Sequence, residues 1–282
     1  MTADPPKLTD RPALLRRRDR TTRSGLFLHE IAADQVKERL EMVKRSFTDV
    51  AVVTGQPEFW SSQFPGATMI ADTPTLDAEP ASFDLVIHAL ALHWADDPIG
   101  QMVQSRRTLR PDGLFLSASF GGQTLSELRL SLSEAEANVR GGLSPRVAPM
   151  IDLRDAGGLL QRAGLSLPVA DTERLTVSYA DAFALMRELR GMGEANALAS
   201  RDRRFAPRRM FDTAARIYRD KFPAADDPAR IRATFELMHL SGWAPDDSQP
   251  KPLRPGSAKS RLADALRTDE HSLRDDSQQR GD

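Results

Sequence analysis

Residues 83–120 constrain the fold more than any other part of this chain. They open with F-D-L-V-I-H-A (83–89), a nearly unbroken apolar run of the kind that a strand buried on both faces requires. After Pro98, Ile99, Met102, Val103 and Leu109 fall on one helical face. R-P-D-G (110–113) then reads as a stop and turn, and L-F-L-S-A-S-F (114–120) as the next strand. Strand, helix and strand with short joints form a βαβ unit. Such a unit implies a parallel sheet covered by helices on both faces.

The flanking segments extend this α/β pattern. Leu28, Ile31, Ala32, Val36, Leu40, Val43 and Phe47 recur at helical spacing and predict a helix over 26–47. D-V-A-V-V-T-G (49–55) is a buried strand running into a turn, and 67–72 is a weaker strand. Strands near 50–54, 84–89 and 114–119 are expected side by side at the centre of the sheet. Further helices are expected over 126–139, 153–163, 182–189 and 207–222 and a strand over 175–179, while 231–243 reads as a strand by its alternation, with a helix as the alternative. The organisation predicted is a basic N-terminal segment (1–25), one α/β domain (26–245) and a Pro-rich, charged, flexible tail (246–282). Within that tail, 258–266 reads as one or two amphipathic turns.

Composition narrows the function. The chain has 39 Lys plus Arg against 40 Asp plus Glu, so there is no bulk positive field for nucleic acid or an anionic membrane. With no cysteine, disulfides, thiolate metal sites and thiol nucleophiles are excluded. No segment reaches the roughly 20 apolar residues that span a bilayer. The N-terminus lacks an apolar secretory region, and its aspartates argue against a transit peptide. A cytoplasmic protein is expected.

Ligands of an open parallel sheet bind beyond the carboxyl ends of its strands. Gly55 follows the first strand, where it serves either a turn or a close backbone approach to a ligand. Asp72 closes the second strand, either as a turn former or as an acceptor for ribose hydroxyls. His88 and His93, with Trp94, flank the end of the third strand; their spacing is wrong for a helical metal pair. Gly121 and Gly122 give the fourth strand a tight exit, and Thr124 with Glu127 has the pattern of a capping box. Arg146, in S-P-R (144–146), and Glu194 and Asn196, in G-M-G-E-A-N (191–196), stand in Gly-punctuated loops of the kind that line sites. They either contact a protein or peptide at the cleft mouth or pair with neighbouring loops. Arg17, Arg18 and Arg20 read as a solvated basic face.

F-D-L-V-I-H-A-L-A-L-H-W-A-D-D-P (83–98) with L-R-P-D-G-L-F (109–115) resembles class I S-adenosylmethionine-dependent methyltransferases. F-G-G-Q-T-L-S-E-L-R (120–129), G-G-L-S-P-R (141–146), G-M-G-E-A-N and S-G-W-A-P (241–245) are similar to one subgroup. It comprises bacterial relatives of the methyltransferase-like assembly factor of respiratory complex I, close to the biotin-pathway malonyl carrier-protein methyltransferases. The resemblance implies a Rossmann-like, mainly parallel, seven-strand-type sheet ending in an antiparallel hairpin. It also implies S-adenosylmethionine as cofactor. By position, Gly55 stands in the glycine-rich loop and Asp72 at the ribose acid or the acid near adenine. His88, Ala89 and Leu90 stand beside the methionine moiety. His93, Gly121, Gly122, Arg146, Glu194 and Asn196 stand on the substrate or partner side.

This chain departs from the family loop, reading V-T-G-Q-P-E-F in place of D-x-G-x-G-x-G. Only 27 residues separate Gly55 from Phe83, so one strand–helix unit of the first half is expected to be trimmed. Two functions follow. One is a methyltransferase-type enzyme acting on a protein or small acceptor, with no side chain identifiable as catalytic. The other is a non-methylating assembly factor, either non-catalytic or arginine-hydroxylating, whose protein partner is a complex I subunit. A Rossmann dehydrogenase is disfavoured, because G-x-G-x-x-G is absent.

Overall fold

In the computed structural model, residues 7–250 are described. The turns expected at 258–266 and the tail beyond lie outside them. The first half holds α1 (Arg11–Arg18), α2 (Phe27–Met42), β1 (Val50–Thr54), α3 (Pro57–Gln63), β2 (Thr68–Ala71) and β3 (Phe83–Ala89). Next come α4 (Pro98–Thr108), β4 (Leu109–Phe120), α5 (Ser126–Arg140) and α6 (Leu153–Arg162). The last elements are β5 (Ser166–Tyr179), α7 (Ala182–Met192), α8 (Arg208–Lys221) and β6 (Ile231–Trp243). They belong to a compact unit that runs to Asp246; a second unit starts at Asp247.

Pleat alternation sets the layers, because successive strand residues face opposite sides. Val52, Leu85, Ile87, Leu114 and Leu116 pack into one core with α2, α5, α7 and α8. Ala51, Val53, Val86 and Phe115 pack into the other with α4 and α6. The sheet order is β2-β1-β3-β4-β6-β5. β2, β1, β3 and β4 are parallel, and β6 runs antiparallel to both β4 and β5. This is the Rossmann-like order expected, with β1, β3 and β4 adjacent at the centre. The terminal antiparallel pair is joined through α7 and α8 rather than by a tight turn. Six strands stand among the described residues, one fewer than the family pattern implies. β2 is an edge strand, and the chain returns from it to β3 through a loop without a helix.

Several local expectations change. R-P-D-G (110–113) is not a turn; it is an irregular start of β4, whose register against β3 shifts between Phe83 and Leu85. Asp112 takes φ 59° there. Thr124 and Glu127 do not form a capping box. The N-cap of α5 is Leu125 with no side-chain cap bond. Instead Thr124 Oγ1 accepts from the Glu236 N–H (2.9 Å), and the Glu127 carboxylate accepts from Thr234 Oγ1 (2.6 Å), so both tie the start of α5 to β6.

Two helices were not expected. In α3, Pro57 pre-sets the first turn, and Trp60 is fully buried with Nε1 donating to His29 Nδ1 at 3.1 Å. In α1, Asp10 caps the helix by accepting from the Ala13 N–H at 3.0 Å. Thr9 anchors the entry, its N–H donating to Asp96 Oδ1 and its hydroxyl to Trp94 O, both at 2.8 Å. Leu14 packs with Trp94, Ala197 and Leu198. The basic N-terminal segment is thus folded onto the sheet's carboxyl edge. Arg18 is 7% exposed, not part of a solvated face.

Candidate functional site

The carboxyl ends of β1, β2 and β3 bring Gly55, Asp72, Ala89 and Leu90 to one crevice. Thr54 pairs with Ala71 on one side and with Ala89 on the other. Ala89 is fully buried. Leu90 takes φ 46° and donates its N–H to Ala118 O at 2.8 Å, which turns the chain out of the strand. The space before Gly55 is taken by Arg18 of α1. A Cβ on Gly55 would lie 2.0 Å from Arg18 Nη1.

Asp72 is held by two guanidiniums. Arg18 Nη1 donates to both carboxylate oxygens, at 2.8 and 2.9 Å. Arg11 donates to the same oxygens at 3.0 and 3.2 Å and to the Asp72 carbonyl at 2.6 Å. Burial alone would raise this carboxyl; Arg18 and Arg11 overcome it and hold it below the usual carboxylate range.

His88 has a structural place. It is fully buried, with Nε2 3.3 Å from Gln101 Oε1, while the Gln101 amide holds Thr73 O at 2.8 Å and Pro74 O at 3.2 Å. Desolvation pushes its pKa down to about 4, so the ring is neutral near pH 7.

A second space, a cavity of about 270 Å³, lies beside the crevice. Phe120, Leu128, Leu132, Met186 and Phe235 line it, and His93, Trp94, Arg146, Glu194 and Asn196 supply polar atoms. Glu194 Oε2 accepts from Trp94 Nε1 at 2.6 Å and lies 3.1 Å from His93 Nε2. Burial would raise Glu194, but the neighbouring His93, Arg18 and Trp94 leave it below its ordinary value, hence ionised. His93 also stacks edge-on against Phe120 with centroids 4.9 Å apart.

The three loop residues singled out in the sequence therefore line one cavity, but each has a local partner. Arg146 forks onto Glu136 at 2.6 and 3.0 Å. Burial opposes ionisation of Glu136, yet bonds from Arg146 and Ser144 hold it down at about 2. Asn196 donates to Pro145 O at 2.9 Å.

Other expected site residues have packing reasons. Gly122 takes φ 54°, and a Cβ there would sit 1.7 Å from Glu236 Oε2. Gly121 donates its N–H to Glu236 O at 3.1 Å. Both let the exit of β4 pass β6. G-M-G-E is not a free loop: Gly191 and Met192 end α7, and Gly193 closes it at φ 85°. The bare backbone of Gly25 lets the end of α7 approach, since a Cβ on Gly25 would lie 2.5 Å from the Gly191 carbonyl carbon.

Sequence reasoning missed Arg11, Arg17 and Arg18. The signal was present in Asp10 and Pro12, a helix start, with R-R-R (16–18) a turn later. Arg17 Nε is buried at the cavity without a hydrogen-bond partner. No group of three or more metal-ligating side chains is present among the described residues. No helix among them is long and apolar enough to cross a membrane.

Comparison with known proteins gives the family. Residues 21–117 match the methyltransferase domain family. The protein named Arginine-hydroxylase NDUFAF5, mitochondrial, of Danio rerio is 35% identical over 79% of this chain and 69% of its own length. Its Mus musculus counterpart is 37% identical over 85% of this chain and 63% of its own length. The Malonyl-[acyl-carrier protein] O-methyltransferase of Laribacter hongkongensis is 35% identical over 64% of this chain and 57% of its own. The chain thus spans only part of the length of these relatives. Sheet order, motifs and identity agree, and the chain belongs to the methyltransferase-fold family that includes the NDUFAF5 arginine-hydroxylases.

Proposed function

We propose that this chain is an S-adenosylmethionine-dependent methyltransferase-type enzyme acting on a protein or small acceptor. The observation that carries the reading is the juxtaposition of two spaces at the carboxyl edge of the sheet. One is the crevice of Gly55, Asp72, Ala89 and Leu90; the other is the largely apolar cavity with His93, Arg146, Glu194 and Asn196. The crevice suits the cofactor in kind. Any side chain at Gly55 would fill it, and Asp72 offers two carboxylate oxygens to ribose hydroxyls. Access requires Arg18 to leave that space.

When bound, the cofactor supplies an already activated methyl group. The chain's own work is to hold the acceptor in line and to exclude water. Gly55, Asp72, Ala89 and Leu90 would hold the cofactor. The walls of Phe120, Leu128 and Phe235 keep the acceptor side dry, and Arg146, Glu194 and Asn196 orient the acceptor at the mouth. Calorimetric titration of the purified chain with S-adenosylmethionine tests the reading; no heat of binding at any attainable concentration sinks it.

One observation favours a second reading, an arginine-hydroxylating, non-methylating assembly factor for respiratory complex I. The loop offers a single glycine, and the crevice is filled by Arg18. Mass spectrometry of a complex I subunit incubated with the chain separates the two, since methylation adds a CH₂ and hydroxylation an oxygen. The cytoplasmic location expected from the sequence belongs to the first reading; the NDUFAF5 relatives are named as mitochondrial.

A further inference from the structure

Arg18 and Asp72 are the most deeply buried ion pair in the crevice, with side chains 5% and 6% exposed. Two guanidiniums, those of Arg18 and Arg11, meet one carboxylate at Asp72, while the ionised Glu194 is a further neighbour of Arg18. Arg11 alone engages both carboxylate oxygens and the Asp72 carbonyl. Arg18 is therefore not needed to keep Asp72 paired. Its guanidinium stands against the bare backbone of Gly55, in the space that any Cβ would fill.

We propose that Arg18 is a ligand-binding residue that exchanges partners: it releases Asp72 and takes the α-carboxylate of S-adenosylmethionine, while Asp72 accepts the ribose hydroxyls. The inference rests on the cofactor reading above and names the residue that anchors the amino-acid end.

The chemistry supports the exchange. An amino-acid nucleoside carries a carboxylate and a vicinal diol. Guanidinium matches the first with a planar fork of donors, and a carboxylate matches the second. The closed pair thus holds together the two groups that would meet the ligand. The swap also leaves neither side chain of the pair alone. Arg18 moves from one carboxylate to another, and Asp72 keeps Arg11. That matters because an uncompensated buried charge is strongly unfavourable. The exchange further accounts for the reduced loop V-T-G-Q-P-E-F. Pro57 lacks an amide donor and further glycines are absent, so anion-binding donors come from a side chain of α1 instead of from the loop backbone.

The test compares S-adenosylhomocysteine with methylthioadenosine by calorimetry on the full chain and on Arg18→Gln. The two ligands share adenosine and a thioether, and only the first has the carboxylate. The expected result is that Arg18→Gln weakens S-adenosylhomocysteine roughly tenfold to a hundredfold, the worth of a charge-assisted hydrogen bond. Methylthioadenosine should bind the variant as well as the parent or better. Equal or tighter binding of S-adenosylhomocysteine by Arg18→Gln overturns the proposal and leaves Arg18 a plug. Equal losses for both ligands also overturn it and make Arg18 structural. If neither protein binds either ligand, the cofactor reading itself falls and the proposal with it. Should Arg18→Gln not fold, Arg18→Lys keeps the charge and loses the fork. It is then expected to weaken only S-adenosylhomocysteine, and an unchanged ratio of the two affinities overturns the proposal.

Discussion

The crevice and the cavity share a wall yet are closed in opposite ways. Consecutive residues of α1 serve them: Arg18 fills the crevice before Gly55, and Arg17 lines the cavity. A helix turns by roughly a quarter-circle or slightly more per residue, so neighbours face different sites. In the crevice, charge meets charge, with Asp72 between two guanidiniums. In the cavity, an ionised carboxylate is held mainly by ring N–H groups amid apolar walls, Glu194 against Trp94 and His93. The difference separates a site held by ion pairs, which the proposed exchange would use, from one held by aromatic packing. An ion pair can trade partners of like charge, whereas a carboxylate set by aromatic packing stays put.

The comparison breaks most visibly at Asp72. Asp72→Ala should leave two buried or half-buried guanidiniums without their partner and cost about 3–5 kcal/mol in urea unfolding. A loss under about 1 kcal/mol, the range of exposed pairs, would mean that the crevice is not held by charge.

Acid should come next. His29, His88 and His239 are buried, and burial lowers each to about 4 from an ordinary value of 6.5. The unfolded chain binds these protons first, so stability is full above about pH 6.5 and falls as pH drops toward 4. Each contributes up to about 3 kcal/mol of that fall. Asp72 and Glu194, both held low, add losses only further down, as pH falls below the ordinary carboxylate range. His88→Asn should flatten the decline between pH 6.5 and 4, and an unchanged slope of stability against pH would refute the assignment.

Glu194→Gln sharpens the comparison. The amide keeps the shape and an acceptor for Trp94, so the cost should be about 1–2 kcal/mol, well short of Asp72→Ala. Equal losses at the two sites would erase the distinction. The smallest effect belongs to Arg190, exposed at the cavity rim. Arg190→Ala should change stability by no more than about 0.5 kcal/mol. If it lowers the melting temperature by many degrees, the Arg190 side chain is part of the packing rather than free at the rim.

Much of the frame was legible along the chain. F-D-L-V-I-H-A and L-F-L-S-A-S-F read as central strands, because they are short, apolar and bounded by turn signals, as burial on both faces of a sheet requires. The reach of β4 back to Leu109 was not legible. R-P-D-G carries strong turn chemistry, and only the pairing of Leu109 with Phe83 and of Asp112 and Gly113 with Ala244, just past β6, draws it into the strand. Thr124 and Glu127 taught the same lesson: their spacing fits a cap, yet β6 supplies better partners from more than 100 residues away.

For the site, sequence by itself selected Gly55, Asp72, His93, Arg146, Glu194 and Asn196, because a strand end, a lone glycine and polar Gly-punctuated segments are local signals. It determined the parallel sheet and the carboxyl edge at which these residues stand. Tertiary structure alone decided what stands against those residues. That Arg18 is buried on Asp72 depends on α1 folding back through Thr9, Asp96 and Trp94, contacts spanning 54 to 87 residues of chain. A run of arginines looks the same whether it meets water or a carboxylate. Only the fold supplies the counter-charge that makes burying one of them favourable.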